Sequence, residues 1–483
     1  MTLVTSGHPF AYEMECIVRM FYPGTKITTE DTDRGQDGAV ITSITEEPDA
    51  LCLTAAFRLG DFDKQSDVNL TPDFPQGERE RVLAVLLFGL LKEKTGIRPS
   101  WGILTGVRPV RLIRAWMENG MSQDAVSRRL LSDYLVLPEK AALALRTAAN
   151  QEHILKENRP RDFSLYVSIP FCPSRCSYCS FVSHEIEKCH KLIPDYMGLL
   201  KEELRQTAGI ARDLGLRLCS IYIGGGTPTV LDASQLRELL ETVGECFAVP
   251  ALSEFTVEAG RPDTIDPEKL KVLRDCSVNR ISINPQTMDD TILGAIGRKH
   301  TADQVMQSFR QAREAGFSRI NMDLIAGLPG DDGSRLAESV EKVLELSPEN
   351  ITLHCLTVKR SSGLRMQDSV YEAGPGLENA LAAAHIKLEG SGYRPFYLYR
   401  QKGTRQNLEN TGFAKPGFES PYNVFIMEES QTVLAVGAGA VTKLCRPGKI
   451  ERVYNFKYPY EYIARYGEQR ARKAAIINFY TKK

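Results

Sequence analysis

The sequence predicts an α/β fold built on a partial (βα)6 barrel, with an accessory domain at each end. Two observations predict it. From residue 164 to about residue 357 one unit recurs: a short apolar strand with a polar or glycine-rich tip, then a helical stretch. Such alternation implies right-handed crossovers and a parallel sheet. The chemically conspicuous residues also gather at the C-terminal tips of these strands, the face on which parallel barrels build their sites. An open doubly wound sheet is the alternative that periodicity leaves standing.

Residues 1–160 read as an N-terminal accessory domain. Short apolar stretches at Tyr12–Phe21, Ala39–Thr45 and Ala50–Arg58 suggest a small β-rich module. A helical part follows from about Gly77 to Gln151, and Glu157–Asp162 reads as a linker. Its longest apolar run, Val82–Leu91, is bounded by Arg81 and Lys92 and suits a core helix rather than a membrane span. Residues 161–360 form the barrel. Its strands read Leu165–Pro170, Ser220–Gly224, Glu254–Glu258, Arg280–Ile283, Arg319–Ile325 and Asn350–Leu356. Helical periodicity fills Leu192–Leu214, Ser234–Phe247, Ala302–Ala315 and Leu336–Leu346, with Gly215, Gly316 and Pro348 near their ends. Residues 361–483 form a C-terminal domain with a helical stretch at Leu377–Leu388 and a segment rich in Tyr, Arg and Gly.

Composition narrows the function. Of 483 residues, 42% are hydrophobic and 25% charged, an ordinary globular balance. Lys and Arg number 60 against 61 Asp and Glu, which argues against nucleic acid as a main partner. The eleven cysteines are an odd number and no signal peptide is read, so a reducing cytoplasm is expected rather than a disulfide framework.

Cys172, Cys176 and Cys179 lie in Phe-Cys-Pro-Ser-Arg-Cys-Ser-Tyr-Cys, directly after the first barrel strand. Three thiolates are one short of closing a cubane cluster, so this spacing proposes a [4Fe–4S] cluster with one exchangeable iron. Two readings compete: thiols that only pack, and a zinc site completed by Cys189, His184 or His190. One strand later comes Gly224-Gly225-Gly226-Thr227-Pro228-Thr229. It is not a P-loop, because no Gly-Lys-Ser/Thr follows. It is not a dinucleotide fingerprint, because Thr229 takes the place of the third glycine. What remains is a turn that brings backbone close to a ligand.

Together these motifs resemble the radical S-adenosylmethionine (SAM) superfamily. The ordered set Leu165-Tyr-Val-Ser-Ile-Pro-Phe-Cys, Gly-Gly-Gly-Thr-Pro-Thr, Val257-Glu-Ala, Asn284-Pro-Gln-Thr, Gly297-Arg-Lys and Met322-Asp-Leu-Ile-Ala-Gly-Leu-Pro329 is similar to its oxygen-independent coproporphyrinogen III oxidase family. The resemblance covers roughly residues 160–445. The N-terminal extension, Leu398-Tyr-Arg-Gln-Lys402 and the stretch Glu429–Ala440 look most like the coproporphyrinogen dehydrogenase branch.

The resemblance implies oxidative decarboxylation of coproporphyrinogen III to protoporphyrinogen IX, using the [4Fe–4S] cluster and two SAM per turnover. It also implies an electron donor and an electron acceptor, neither named by the sequence. Tyr166, Tyr178, Gly225 and Glu258 would contact the cluster-bound SAM. Gly226, Thr227, Gln286, Arg298 and Asp323 match positions that hold a second SAM, with Thr357 and Val441 matching less closely. The C-terminal domain would cover the substrate. In Tyr393–Arg405 aromatic rings interleave with Arg394, Arg400, Lys402 and Arg405, so this segment could hold the substrate's propionates, with Arg400 the chosen residue. Its plain alternative is an exposed basic strand.

Two departures qualify the resemblance. Phe181 stands where the family's oxidase carries a further cysteine. Tyr422-Asn-Val-Phe-Ile-Met427 stands where haem-chaperone relatives carry His-Asn-x-x-Tyr-Trp. The alternative functions are a haem or porphyrin chaperone with a vestigial cluster, and radical SAM haem methylation with ring opening.

Overall fold

The computed structural model describes all residues except 182, 250–251, 358–375, 402–406 and 482–483. These residues form two compact units, Met1–Ala148 with Tyr399–Glu409, and Ala149–Leu398 with Asn410–Lys483.

The first unit carries a five-stranded sheet of β1 (Thr2–Ser6), β2 (Thr28–Glu30), β3 (Ala39–Glu46), β4 (Leu51–Leu59) and β5 (Phe62–Leu70), in the order β2-β1-β3-β4-β5. Two of the expected strands are present as β3 and β4. The third stretch, Tyr12–Phe21, is instead a helix, Ala11–Phe21. Its buried residues Met14, Ile17, Val18 and Phe21 fall at helical spacing, and they meet Leu83, Leu87, Phe88 and Leu91 of the helix Gln76–Thr95 over the sheet. Gln76–Thr95 contains the apolar run Val82–Leu91, six of whose residues are buried. The shorter helices Pro109–Glu118 and Gln123–Ser132 follow it.

The second unit is built on an eleven-stranded sheet. Its centre is β6 (Asp162–Ile169), then, beyond the two-residue strands β7 (Phe171–Cys172) and β8 (His184–Glu185), β9 (Arg217–Gly225), β10 (Glu254–Glu258), β11 (Arg280–Ser282), β12 (Ile320–Ala326) and β13 (Asn350–Cys355). Each pairs in parallel with the next in chain order. A doubly wound sheet reverses its strand order at a switch point; this one advances in a single direction, as a barrel wall does. Helices Ile193–Asp213, Ala233–Cys246, Pro267–Asp275, Ala302–Glu314 and Ser334–Leu346 fill the crossovers. Asp232 and Thr301 start two of them with reciprocal capping boxes through Gln235 and Gln304; such caps contribute about 1 kcal/mol each.

Later strands extend both edges: β14 (Arg394–Arg400), β15 (Glu409–Ala414), β16 (Thr432–Val436), β17 (Val441–Arg446) and β18 (Lys449–Tyr454). Antiparallel β15 pairs with β13, and parallel β16 pairs with β6. The units therefore run differently from the regions 1–160, 161–360 and 361–483, since strands beyond residue 360 hydrogen-bond into the barrel sheet. The expected helix Leu377–Leu388 is present as Leu377–Gly390.

Candidate active site at the strand tips

The cysteine loop leaves the tip of β6 and is tied to two neighbours. The amide of Thr227 donates to the Phe171 carbonyl at 2.7 Å, and that of Gly226 to the Ile169 carbonyl at 2.8 Å. This approach explains the glycine at 226: a Cβ there would lie 2.4 Å from the Phe171 oxygen. Gly225, at φ +111°, makes the turn. On the other side the Ser177 amide donates to the Ile296 carbonyl at 3.0 Å. The two glycine-bearing segments thus hold the thiols from both flanks.

Cys176 is buried, and Cys172 and Cys179 are partly so. Burial pushes the Cys179 thiol up to about 11, helped by Cys176 and Cys172. Burial likewise raises Cys172, with Cys176 adding to it. The three thiols thus share one electrostatic neighbourhood. Hydrogen-bond donors already point at two of the sulfurs: Thr227 Oγ1 at 3.5 Å from Cys172 Sγ, and Arg261 Nη1 at 3.8 Å from Cys176 Sγ. This donor set suits a thiolate-held iron–sulfur cluster, whose charge N–H and O–H groups stabilise. Among the described residues no three His, Cys, Asp or Glu side chains converge on a single-ion site.

Along the sheet interior the rings of Tyr166, Tyr222 and Tyr422 form a ladder, with centroids 6.3 and 4.5 Å apart and planes within 21° and 18° of parallel. Tyr222 donates to Glu258 Oε1 at 2.6 Å. Burial pushes the Glu258 carboxyl up to about 7, Tyr222 opposes this, and Asp323 adds to it. Asp323 differs. Burial works against its charge too, but His354, Asn321 and Thr352 together hold it below the usual carboxylate range; His354 Nε2 lies 3.7 Å away and Asn321 Nδ2 donates at 2.8 Å.

Gln286 sits one strand over with a left-handed backbone, φ +69°. Its amide donates to the Asp323 carbonyl at 2.9 Å, and its own carbonyl accepts from Ile325 at 2.8 Å. These bonds hold a conformation that costs a non-glycine residue about 1 kcal/mol or more. Arg298 is buried and donates to the carbonyls of Asn284 at 2.5 Å and Gly260 at 3.2 Å, and to the Tyr178 hydroxyl at 3.2 Å. Tyr178 packs on Ile292, Leu293, Ile296, Ile325 and Leu328.

Most of the residues expected from the sequence therefore fall into one connected constellation: Tyr166, Cys172, Cys176, Tyr178, Cys179, Gly225, Gly226, Thr227, Glu258, Gln286, Arg298 and Asp323. Thr357 follows β13, where its Oγ1 donates to the Cys355 carbonyl at 3.4 Å, and Val441 opens β17 opposite Tyr454. Arg400 belongs to the first unit. It is 6% exposed, lies 5.5 Å from the Trp101 ring, and donates to the carbonyls of Leu104 and Asn407. Arg394 is exposed; Lys402 and Arg405 lie outside the described residues. The sequence reading missed Tyr222, Arg261, His354 and Tyr422. Tyr222 alone carried a usable signal, standing two residues before Gly224 on the same strand face.

Comparison with known proteins now fits the geometry. The radical SAM superfamily model matches residues 166–343. A curated relative from Bacillus subtilis, the oxygen-independent coproporphyrinogen-III oxidase-like protein HemZ, is 37% identical over 411 residues, covering 82% of this chain and 81% of its own. The chain belongs to this radical SAM family. The cofactors of this family are a [4Fe–4S] cluster and SAM. The B. subtilis haem chaperone HemW is 35% identical over 282 residues, covering 57% of this chain and 70% of its own. Among solved structures, coproporphyrinogen III oxidase (HemN) from Escherichia coli shares the fold at a TM-score of 0.54 and 24% identity, over 66% of this chain and 72% of that one. Among the described residues no helix is long and apolar enough to cross a membrane.

Proposed function

We propose that this protein decarboxylates coproporphyrinogen III oxidatively to protoporphyrinogen IX in porphyrin biosynthesis, as a radical SAM oxidoreductase of the reducing cytoplasm. The observation that carries the reading is coverage. The HemZ-like relative matches 411 residues, far beyond the barrel core at 166–343, whereas the haem chaperone matches 282.

Cys172, Cys176 and Cys179 would hold the cluster, and Tyr166, Tyr178, Gly225 and Glu258 the SAM bound to it. Together these would supply a 5′-deoxyadenosyl radical, the cofactors' own chemistry. The protein's residues orient and exclude. The tyrosine ladder keeps one wall of the site aromatic and dry. Glu258, held by the Tyr222 hydroxyl and the Gly225 amide, would offer its remaining acceptor capacity to a donor such as an ammonium group. Gln286, Arg298 and Asp323 line the neighbouring tips, where a second SAM or the substrate would lie. For each of two propionates, the radical would take a hydrogen atom from the β-carbon to give 5′-deoxyadenosine, the carboxylate would leave as CO2, and one electron would pass to an external acceptor. A vinyl group remains. An external donor would supply the electron for the cluster.

A haem or porphyrin chaperone is the second reading, favoured by the HemW similarity. Tyr422 speaks against it: the segment lacks the chaperone's His, Tyr and Trp and spends its own tyrosine on stacking with Tyr222. One anaerobic assay separates the readings. Reconstituted protein receives coproporphyrinogen III, SAM, a reductant and an electron acceptor, and the products are analysed. A divinyl product with 5′-deoxyadenosine is expected. Tight haem binding with neither product selects the chaperone, and a methylated or opened ring selects the third activity.

A further inference from the structure

Arg261 stands three residues past the tip of β10 and is 3% exposed. One edge of its guanidinium is fixed: Nε and Nη2 donate to Asp263 Oδ1 and Oδ2, each at 2.9 Å. The other edge faces the cysteine loop. Nη2 and Nη1 donate to Ser174 Oγ at 3.1 and 3.2 Å, and Nη1 reaches the Ser174 carbonyl at 3.4 Å and Cys176 Sγ at 3.8 Å. A planar fork clamped on one side by a carboxylate has little freedom on the other. Cys176 is also the most buried of the three thiols.

The charge behind the loop is unbalanced. Arg261 and Arg298 are both buried cations, and Asp263 is the carboxylate paired with Arg261. His300 is 2% exposed and lies 3.9 Å from Asp263. A guanidinium does not lose its proton in a protein. It therefore presents a permanent positive charge and an N–H to one cluster ligand. Both act in one direction, favouring the more negative, reduced cluster and so raising its potential.

We propose that Arg261 is a positioning residue that locks Cys176 and sets the cluster's reduction potential upward. The inference concerns the cofactor only and is independent of the substrate. The test is an EPR-monitored redox titration of the reconstituted full-length protein without SAM, alongside iron content, for wild type, Arg261→Gln and Arg261→Lys. Arg261→Gln should still bind about four irons. Its ratio of oxidised to reduced cluster at a fixed potential should rise about tenfold, a fall of ~59 mV for a one-electron couple. Arg261→Lys keeps the charge but loses the fork, and should fall by a smaller, resolved amount. If Arg261→Gln takes up no cluster, Arg261→Lys decides alone. An unchanged midpoint in a four-iron variant overturns the proposal. So does loss of the cluster in both variants, which makes Arg261 scaffold.

Discussion

Strand β10 begins and ends in a glutamate, and the two face the same side of the sheet. Glu254, at the base, is wholly buried and fully engaged. It accepts from Thr256 Oγ1 at 2.9 Å, Ser420 Oγ at 2.6 Å and the Tyr422 amide at 2.9 Å, with Arg280 Nε at 3.8 Å. The last two hydrogen-bond donors open the helix Pro421–Glu428, whose N-terminal amides and dipole suit a carboxylate. Glu258, at the tip, has fewer donors, the Tyr222 hydroxyl and the Gly225 amide, and a neighbouring carboxylate in Asp323. The lesson is physical. A buried carboxylate with all its partners belongs to the architecture. One left short of partners stores a cost that a ligand can relieve.

Substitutions should separate the two ends. The largest effect is expected for Glu254→Ala, which takes the carboxylate from beside Arg280 and leaves three backbone or hydroxyl donors without their acceptor. Urea unfolding should show a loss of about 3–5 kcal/mol, while the folded fraction still binds SAM. Arg400→Ala comes next. It leaves the Leu104 and Asn407 carbonyls without donors and should cost about 2–4 kcal/mol. KM for coproporphyrinogen, measured on folded protein, then checks the substrate role read from the sequence; an unchanged KM confines Arg400 to the first unit's structure.

Glu258→Gln should behave oppositely to Glu254→Ala. Its carboxyl is raised to about 7 in the folded protein, so between about pH 4.5 and 7 the folded state binds more protons than the unfolded one. Stability therefore falls as pH rises through that window. The amide removes this fall, and the variant should be about 1–3 kcal/mol more stable than wild type at pH 8 but little different at pH 4.5. Thermal unfolding at the two pH values checks it. The smallest effect is expected for Thr227→Val, which removes the hydroxyl beside Cys172 and should cost about 0.5–1 kcal/mol with iron content preserved.

The barrel was legible because parallel strands buried on both faces are continuous apolar runs between glycine-rich tips. Glu254–Glu258 is a strand over the very residues expected, and the others shift by at most a few residues. Tyr12–Phe21 was not legible, because a short apolar stretch satisfies strand and helix periods alike until its packing partners are known. The antiparallel edge was partly readable: Pro447-Gly448 is a turn signal between β17 and β18. In the site, the cysteines and glycines announce themselves by spacing. Glu258 was marked by the Val257-Glu-Ala motif at a strand tip, whereas the role of Glu254 was not legible, since its partners at residues 280 and 420–422 arrive from distant segments. Arg261 reads as a surface charge until the fold buries it.

The account rests most directly on the tip carboxylate completing a cluster-and-SAM site. The decisive measurement is the EPR spectrum of the reduced, anaerobically reconstituted protein with and without SAM, for wild type and Glu258→Gln. Wild type should bind about four irons and change its spectrum on SAM addition. Glu258→Gln should keep the cluster and require at least tenfold more SAM for the same change. A stable four-iron cluster in the wild type whose spectrum ignores SAM would contradict the account.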